Sequence, residues 1–118
     1  MKKQQRLLVI GLCLIFSIMM CSCLGKLTSN SIVGKWNHSL GYNSQYGDIE
    51  WYEFFNDGTY SWGYYSTRFD TNYPKNGGKY SILDDGRLKL EIGYMVETKS
   101  MSKNGNKLII DGYEYIKQ

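Results

Sequence analysis

Residues 48–65 read DIEWYEFFNDGTYSWGYY, two runs of aromatic residues on either side of the turn sequence Asp57-Gly58. Asx-Gly pairs supply the positive φ angles that tight β-hairpins need. A hairpin folded about this pair would place Phe54 opposite Tyr60, and alternate side chains along each strand would then share a face. The stretch therefore predicts a two-stranded antiparallel unit with one aromatic face.

The same punctuation recurs along the chain, at Asn76-Gly77, Asp85-Gly86, Asn104-Gly105 and Asp111-Gly112. The runs between these pairs are short and rich in aromatic and β-branched residues, and none carries a sustained helical period. We predict eight strands: Gly34–Ser39, Asp48–Phe55, Thr59–Tyr65, Gly78–Leu83, Arg87–Ile92, Tyr94–Met101, Lys107–Ile110 and Tyr113–Lys117. Eight short strands joined mostly by hairpins favour an all-β, antiparallel up-and-down barrel, because closing the sheet removes its exposed edges.

The N-terminal segment has the features of a secretory signal. Three basic residues near the start precede an uncharged apolar run, Leu7–Met20, after which the chain turns polar. The run is shorter than the roughly 20 residues that a membrane-spanning helix needs. We therefore expect residues 1–22 to be a cleaved signal peptide.

The end of this segment, Met20-Cys21-Ser22-Cys23, resembles a bacterial lipobox, in which a cysteine after a small residue is lipidated and becomes the new N-terminus. The resemblance implies acyl chains on Cys23, residues 23–31 as a tether, and a lipid-anchored protein on the extracytoplasmic side of a bacterial membrane, in the cell envelope. The alternative is an ordinary cleaved signal without lipid.

The charge balance of the remaining chain disfavours nucleic acid as a partner. The full chain carries a net charge of +3, and Lys2, Lys3 and Arg6 of the signal account for all of it. The part after the signal keeps equal numbers of basic and acidic residues and has no cysteine beyond Cys23. We therefore expect neither nucleic-acid binding nor a disulfide in the domain.

Three short motifs in residues 32–118 resemble the lipocalin-like domains of small bacterial lipoproteins. They are the opening Ile32-Val33-Gly34-Lys35-Trp36, the hairpin Phe54–Tyr60, and Gly78–Ile82 followed by Leu88-Lys89-Leu90. The resemblance implies a lipocalin-like β-barrel over residues 32–118 and says little about activity. A barrel of eight strands is just wide enough for packed side chains or one small ligand.

Two sets of residues could bind a partner. The first set would face the barrel interior and contact a small apolar or amphipathic ligand, or would simply form the core: Trp36, Tyr52, Phe54, Tyr60, Trp62 and Tyr80. The second set lies in two predicted long loops, Leu40–Gly47 and Ser66–Gly77, which an up-and-down barrel would bring to the same end. These loops would form a rim for an envelope glycan or protein, or would merely cap the barrel; the rim residues are Tyr42, Tyr46, Arg68, Phe69 and Tyr73.

The sequence offers little for catalysis. His38 is the only histidine, so no zinc cluster is predicted, and no glycine-rich loop precedes a helix. Asp48 and Glu50 alternate on one strand, where a water-exposed face would explain both carboxylates. We predict a binding protein that is not an enzyme, without catalytic residues, metal or cofactor.

Overall fold

The computed structural model describes residues 27–118, so the predicted signal peptide and Cys23 lie outside the described residues. A 3-10 turn, η1 (Ser29–Ile32), precedes nine strands arranged in the order β6-β5-β4-β3-β2-β1-β9-β8-β7 as a nearly closed antiparallel barrel. The predicted all-β barrel is confirmed. The strands are β1 (Gly34–Ser44), β2 (Gly47–Phe54), β3 (Thr59–Ser66), β4 (Thr71–Ile82), β5 (Leu88–Ile92), β6 (Met95–Lys99), β7 (Met101–Asn104), β8 (Lys107–Ile110) and β9 (Tyr113–Lys117).

The barrel has nine strands rather than the predicted eight, because the predicted strand Tyr94–Met101 is divided at Ser100. Its first part, β6, pairs with β5, whereas β7 pairs with β8. Ser100 is held at this division by the turn between β8 and β9: its N–H donates to Asp111 Oδ1 at 3.0 Å, and its carbonyl accepts from Asp111 N–H at 3.0 Å. One segment thus passes from one edge of the sheet to the other and brings the two edges together.

The prediction of two long loops, Leu40–Gly47 and Ser66–Gly77, is wrong, because strands occupy most of both segments. β1 continues to Ser44 with a register shift after Ser39, and β4 begins already at Thr71. Polar and aromatic residues in both segments pair across the hairpins, as Tyr64 does with Tyr73. Pro74 lies within β4 at a second register shift, opposite Gly63, and such irregularities are where a strand accommodates proline.

Alternation along the strands builds one buried aromatic core. Phe54 lies opposite Tyr60, as predicted, and the rings of Tyr52 and Phe54 stack at 5.6 Å. The indole of Trp36 donates to the carbonyl of Ile32 at 2.8 Å, which ties η1 to β1. The core consists of Ile32, Trp36, Tyr52, Phe54, Tyr60, Tyr80, Leu88, Leu90, Leu108, Ile110 and Tyr115.

The two ends of the barrel differ. Because the strands are antiparallel, the turns after β1, β3, β5 and β8 lie at one end, which we call the mouth end. The turns after β2, β4 and β7 lie at the other end, together with η1, and we call this the closed end. The chain therefore enters the barrel at the closed end.

Among the described residues, no helix has the length and apolar character needed to cross a membrane.

Candidate functional site

A cavity of about 620 Å³ opens at the mouth end, and we call it the mouth cavity. Its walls come from β1, β2, β3 and β9, from the ends of β6 and β8, and from the turns after β1 and β8. Six of its lining residues are tyrosines: Tyr42, Tyr46, Tyr52, Tyr64, Tyr113 and Tyr115. The others are His38, Leu40, Ser44, Gln45, Glu50, Lys99, Ile110 and Asp111. The lining therefore combines aromatic surface with a few charged groups.

Glu50 lies at the inner part of this cavity. The hydroxyl of Tyr115 donates to Glu50 Oε1, and the indole Nε1 of Trp62 lies 3.3 Å from the same oxygen and donates to it. Both donors are neutral, and they point the carboxylate toward the barrel axis. Glu50 is therefore a fixed acceptor inside the barrel.

The two most buried tyrosines of the cavity remain protonated over the physiological pH range. Burial, and then the nearby Glu50 carboxylate, raise the pKa of Tyr52 well above its usual value. Burial, followed by the hydrogen bond to Glu50, raises the pKa of Tyr115 in the same direction. Neither hydroxyl therefore adds negative charge to the cavity, and that of Tyr115 keeps the proton that it donates to Glu50.

Strand parity explains why Glu50 points inward. Glu50 lies opposite His38 on β1 and opposite Tyr64 on β3, and it shares its face with Tyr52 and Phe54. The expected water-exposed face for Glu50 is thus wrong, since alternation from Tyr52 already assigns it to the interior. Sequence reasoning missed Glu50 because a carboxylate in a barrel interior contradicts the usual pattern of burial.

The mouth cavity carries one lysine, and that lysine is already paired. Lys99 Nζ lies 3.4 Å from Asp111 Oδ2 and 3.9 Å from Glu97 Oε2. Within residues 27–118, Glu50 has no lysine, arginine or histidine nitrogen within 4.0 Å. His38 instead has its Nδ1 2.9 Å from the carbonyl oxygen of Glu114.

Three of the predicted rim residues gather at the mouth cavity. Tyr42 and Tyr46 line it, and Tyr42 is 66% exposed. The ring of Tyr46 stacks on Tyr64 at 5.7 Å and lies 6.3 Å from the ring of Tyr73. The ammonium of Lys75 lies over the ring of Tyr46, 3.2 Å from its centroid.

The other two predicted rim residues lie in the turn between β3 and β4. The guanidinium of Arg68 is 5.1 Å from the ring centroid of Phe69, which is 63% exposed. Arg68 lines a separate depression of about 310 Å³, which it shares with Tyr42. The rim is therefore two neighbouring patches rather than one.

The six predicted interior residues also divide. Tyr52, Tyr60 and Trp62 line a second cavity of about 340 Å³ between β3 and β6, and Tyr52 lines the mouth cavity as well. Trp36, Phe54 and Tyr80 lie in the core and line neither cavity. Tyr80 has a structural partner, since its hydroxyl donates to the carbonyl of Phe55 at 2.8 Å.

Residues 27–118 contain no group of three histidine, cysteine, aspartate or glutamate side chains placed to hold a metal ion. Comparison with known proteins found no matching family model, no matching curated protein and no matching solved structure.

Proposed function

We propose that this protein is a lipoprotein of the bacterial cell envelope whose lipocalin-like barrel binds a small amphipathic molecule in the mouth cavity. The observation that carries the proposal is the cavity itself, about 620 Å³ and open at one end. Sites for small molecules commonly have roughly 300–1,000 Å³, an apolar or aromatic lining and a few placed polar groups. The packed core lies beneath the cavity and shares Tyr52, Ile110 and Tyr115 with its lining, which supports a rigid base for the site.

Binding fits the polar groups of the cavity better than catalysis does. Glu50 accepts from Tyr115 and Trp62, and Lys99 is paired with two acids. Groups held by such partners orient a ligand, whereas general acid–base catalysis requires a group that exchanges a proton with the reacting atom. We therefore assign the protein a binding role.

Native mass spectrometry of the protein extracted from its own membrane tests the proposal. We expect a native mass above the denatured mass, with the excess lost on denaturation. Leu40→Trp adds bulk to the cavity lining and should remove the excess mass. Ser81→Trp, at an exposed position of β4, should keep the excess mass. A wild-type protein without excess mass, or an excess that Leu40→Trp leaves unchanged, would contradict the proposal.

The denatured mass tests the proposed anchor separately. Cleavage before Cys23 with added acyl chains is the expected result, and Cys23→Ala should abolish both. An unmodified N-terminus at another residue would leave ligand binding in place and remove the lipoprotein assignment.

A second role is supported by the exposed aromatic residues of the mouth end, which would contact an envelope glycan or protein. Tyr42, Phe69, Tyr94 and Tyr113 are 66%, 63%, 97% and 59% exposed, respectively, and all lie in or near mouth-end turns. For the glycan, Tyr42→Ala with Phe69→Ala should reduce cosedimentation with purified cell-wall glycan and leave unfolding unchanged. Unchanged cosedimentation would argue against a glycan surface.

A further inference from the structure

We propose that the ligand of the mouth cavity carries an organic cation, an ammonium group, which Glu50 neutralises and the surrounding tyrosine rings enclose. The inference rests on the proposed function and names the chemical class that the cavity selects.

The charge of Glu50 favours a cationic group on the ligand. Its carboxylate is turned into the barrel by two neutral donors, and none of the five ion pairs among the described residues includes it. Glu50 is half-buried, and carboxylates that lose contact with water are ordinarily paired with a cation or a metal. A ligand cation beside Glu50 in the cavity would supply the missing charge.

The other charged side chains of the cavity lining, Lys99 and Asp111, carry opposite charges that cancel. Lys99 lies between Asp111 and Glu97, so its ammonium faces two carboxylates without help from a ligand. The carboxylates and the ammonium of the lining belong to Glu50, Asp111 and Lys99, and together these three groups leave one negative charge. An anionic ligand would meet that charge unfavourably, and a neutral one would leave it uncompensated.

The aromatic lining of the cavity also favours a cationic group. The faces of aromatic rings attract cations, and rings arranged around an ammonium form the known type of cage for such groups. Tyr52 and Tyr115 lie beside Glu50 at the floor, and Tyr64 lies opposite it on β3. The chain itself shows this contact at the rim, where the ammonium of Lys75 lies 3.2 Å from the ring centroid of Tyr46.

Three probes of nearly equal size and different charge test the inference on the full chain: choline, 3,3-dimethylbutan-1-ol and 3,3-dimethylbutanoate. All are water-soluble, and binding can be followed by tryptophan fluorescence, with Trp62 next to Glu50 as the reporter. We expect choline to bind at least about tenfold more tightly than the alcohol, which corresponds to about 1.4 kcal/mol. The carboxylate should bind more weakly than the alcohol.

Glu50→Gln should reduce choline binding to the level of the alcohol and leave the alcohol unchanged. The substituted amide oxygen can still accept from Tyr115 and Trp62, so the fold should persist. The matched control is Glu53→Gln, which removes the same charge from the opposite face of the same strand and should keep the preference for choline.

The outcomes separate the two proposals. Equal binding of choline and the alcohol, or a preference that survives Glu50→Gln, would overturn the cation inference and leave a neutral amphipathic ligand. Absence of saturable binding for all three probes, together with a native mass equal to the denatured mass, would overturn the proposed function as well.

Discussion

Glu50 on β2 and Tyr115 on β9 together place a pair of hydrogen-bonded polar groups inside the barrel. The Tyr115 side chain is 2% exposed, yet its hydroxyl is satisfied because it donates to Glu50. A buried hydroxyl without a partner would cost about 1–3 kcal/mol. The pair thus permits a polar floor within an otherwise aromatic core.

The buried tyrosines predict a loss of stability at high pH. An unfolded tyrosine ionises near pH 10, whereas burial raises the pKa of Tyr52 and Tyr115 in the barrel. Below pH 10 both are protonated in either state. Above it, the unfolded chain releases protons that the folded chain keeps, so the free energy of unfolding falls by up to about 1.4 kcal/mol per pH unit for each tyrosine.

Urea unfolding at pH values from about 8 to about 11, a range that includes the ordinary tyrosine pKa, measures this decline in the free energy of unfolding. Tyr115→Phe should make it shallower, and Tyr94→Phe, at a residue that is 97% exposed, should follow the wild type. Identical slopes for all three proteins would show that Tyr115 ionises equally in both states.

At the scale of the element, the turn between β8 and β9 holds the segment that closes the barrel. Asp111 and Gly112 have φ angles of 50° and 84°, as expected for the tight turn that the Asx-Gly pair predicts. The Asp111 carboxylate also accepts from Ser100 N–H at 3.0 Å. The turn therefore fixes its own hairpin and the division between β6 and β7.

Asp111→Ala should destabilise the protein by about 2 kcal/mol, because it removes the acceptor for Ser100 and places alanine at a left-handed φ. Asp111→Asn is the matched control, since asparagine tolerates that φ and keeps an acceptor oxygen. Its loss of the exposed ion pair with Lys99 should have little effect. Urea unfolding of both variants measures the difference, and equal stabilities would show that neither feature matters.

The strand pairing was predictable where turn chemistry and alternation agree, as at Asp57-Gly58, which sets Phe54 opposite Tyr60. It was not predictable beyond Ser39 or before Gly78, because the pairing of polar residues in long hairpins leaves no hydrophobic period. Pro74 added to the error, since proline ordinarily indicates a loop. The division at Ser100 depends on Asp111, a contact between distant residues that no local pattern reveals.

The candidate site was predictable only in part, because some of its contacts join residues that are distant in the sequence. Tyr42 and Tyr46 were predicted from the loop Leu40–Gly47, most of which is strand in the structure. Glu50 and Tyr115 meet only because β2 and β9 flank β1. The pairing of β1 with β9 bridges their 65-residue separation in sequence.

At the scale of the whole molecule, stability and binding are separated along the barrel. Leu108 is 0% exposed and belongs to the core, whereas Leu40 lines the mouth cavity. Leu108→Ala should lower the free energy of unfolding by about 2–5 kcal/mol and keep the native mass excess. Leu40→Trp should leave the free energy of unfolding nearly unchanged and remove the native mass excess. Urea unfolding with native mass spectrometry measures both; loss of the mass excess in a folded Leu108→Ala protein would contradict this separation.

The entry of the chain at the closed end has a consequence for the route by which a ligand arrives. The seven residues from Cys23 to Ser29 are joined by six Cα-to-Cα steps, which span at most about 20 Å when extended. An acylated Cys23 would therefore keep the base of the barrel next to the lipid headgroups, with the opening turned to the aqueous side. A molecule would then arrive by diffusion through water or by transfer from a soluble donor, rather than by lateral exchange out of the bilayer leaflet.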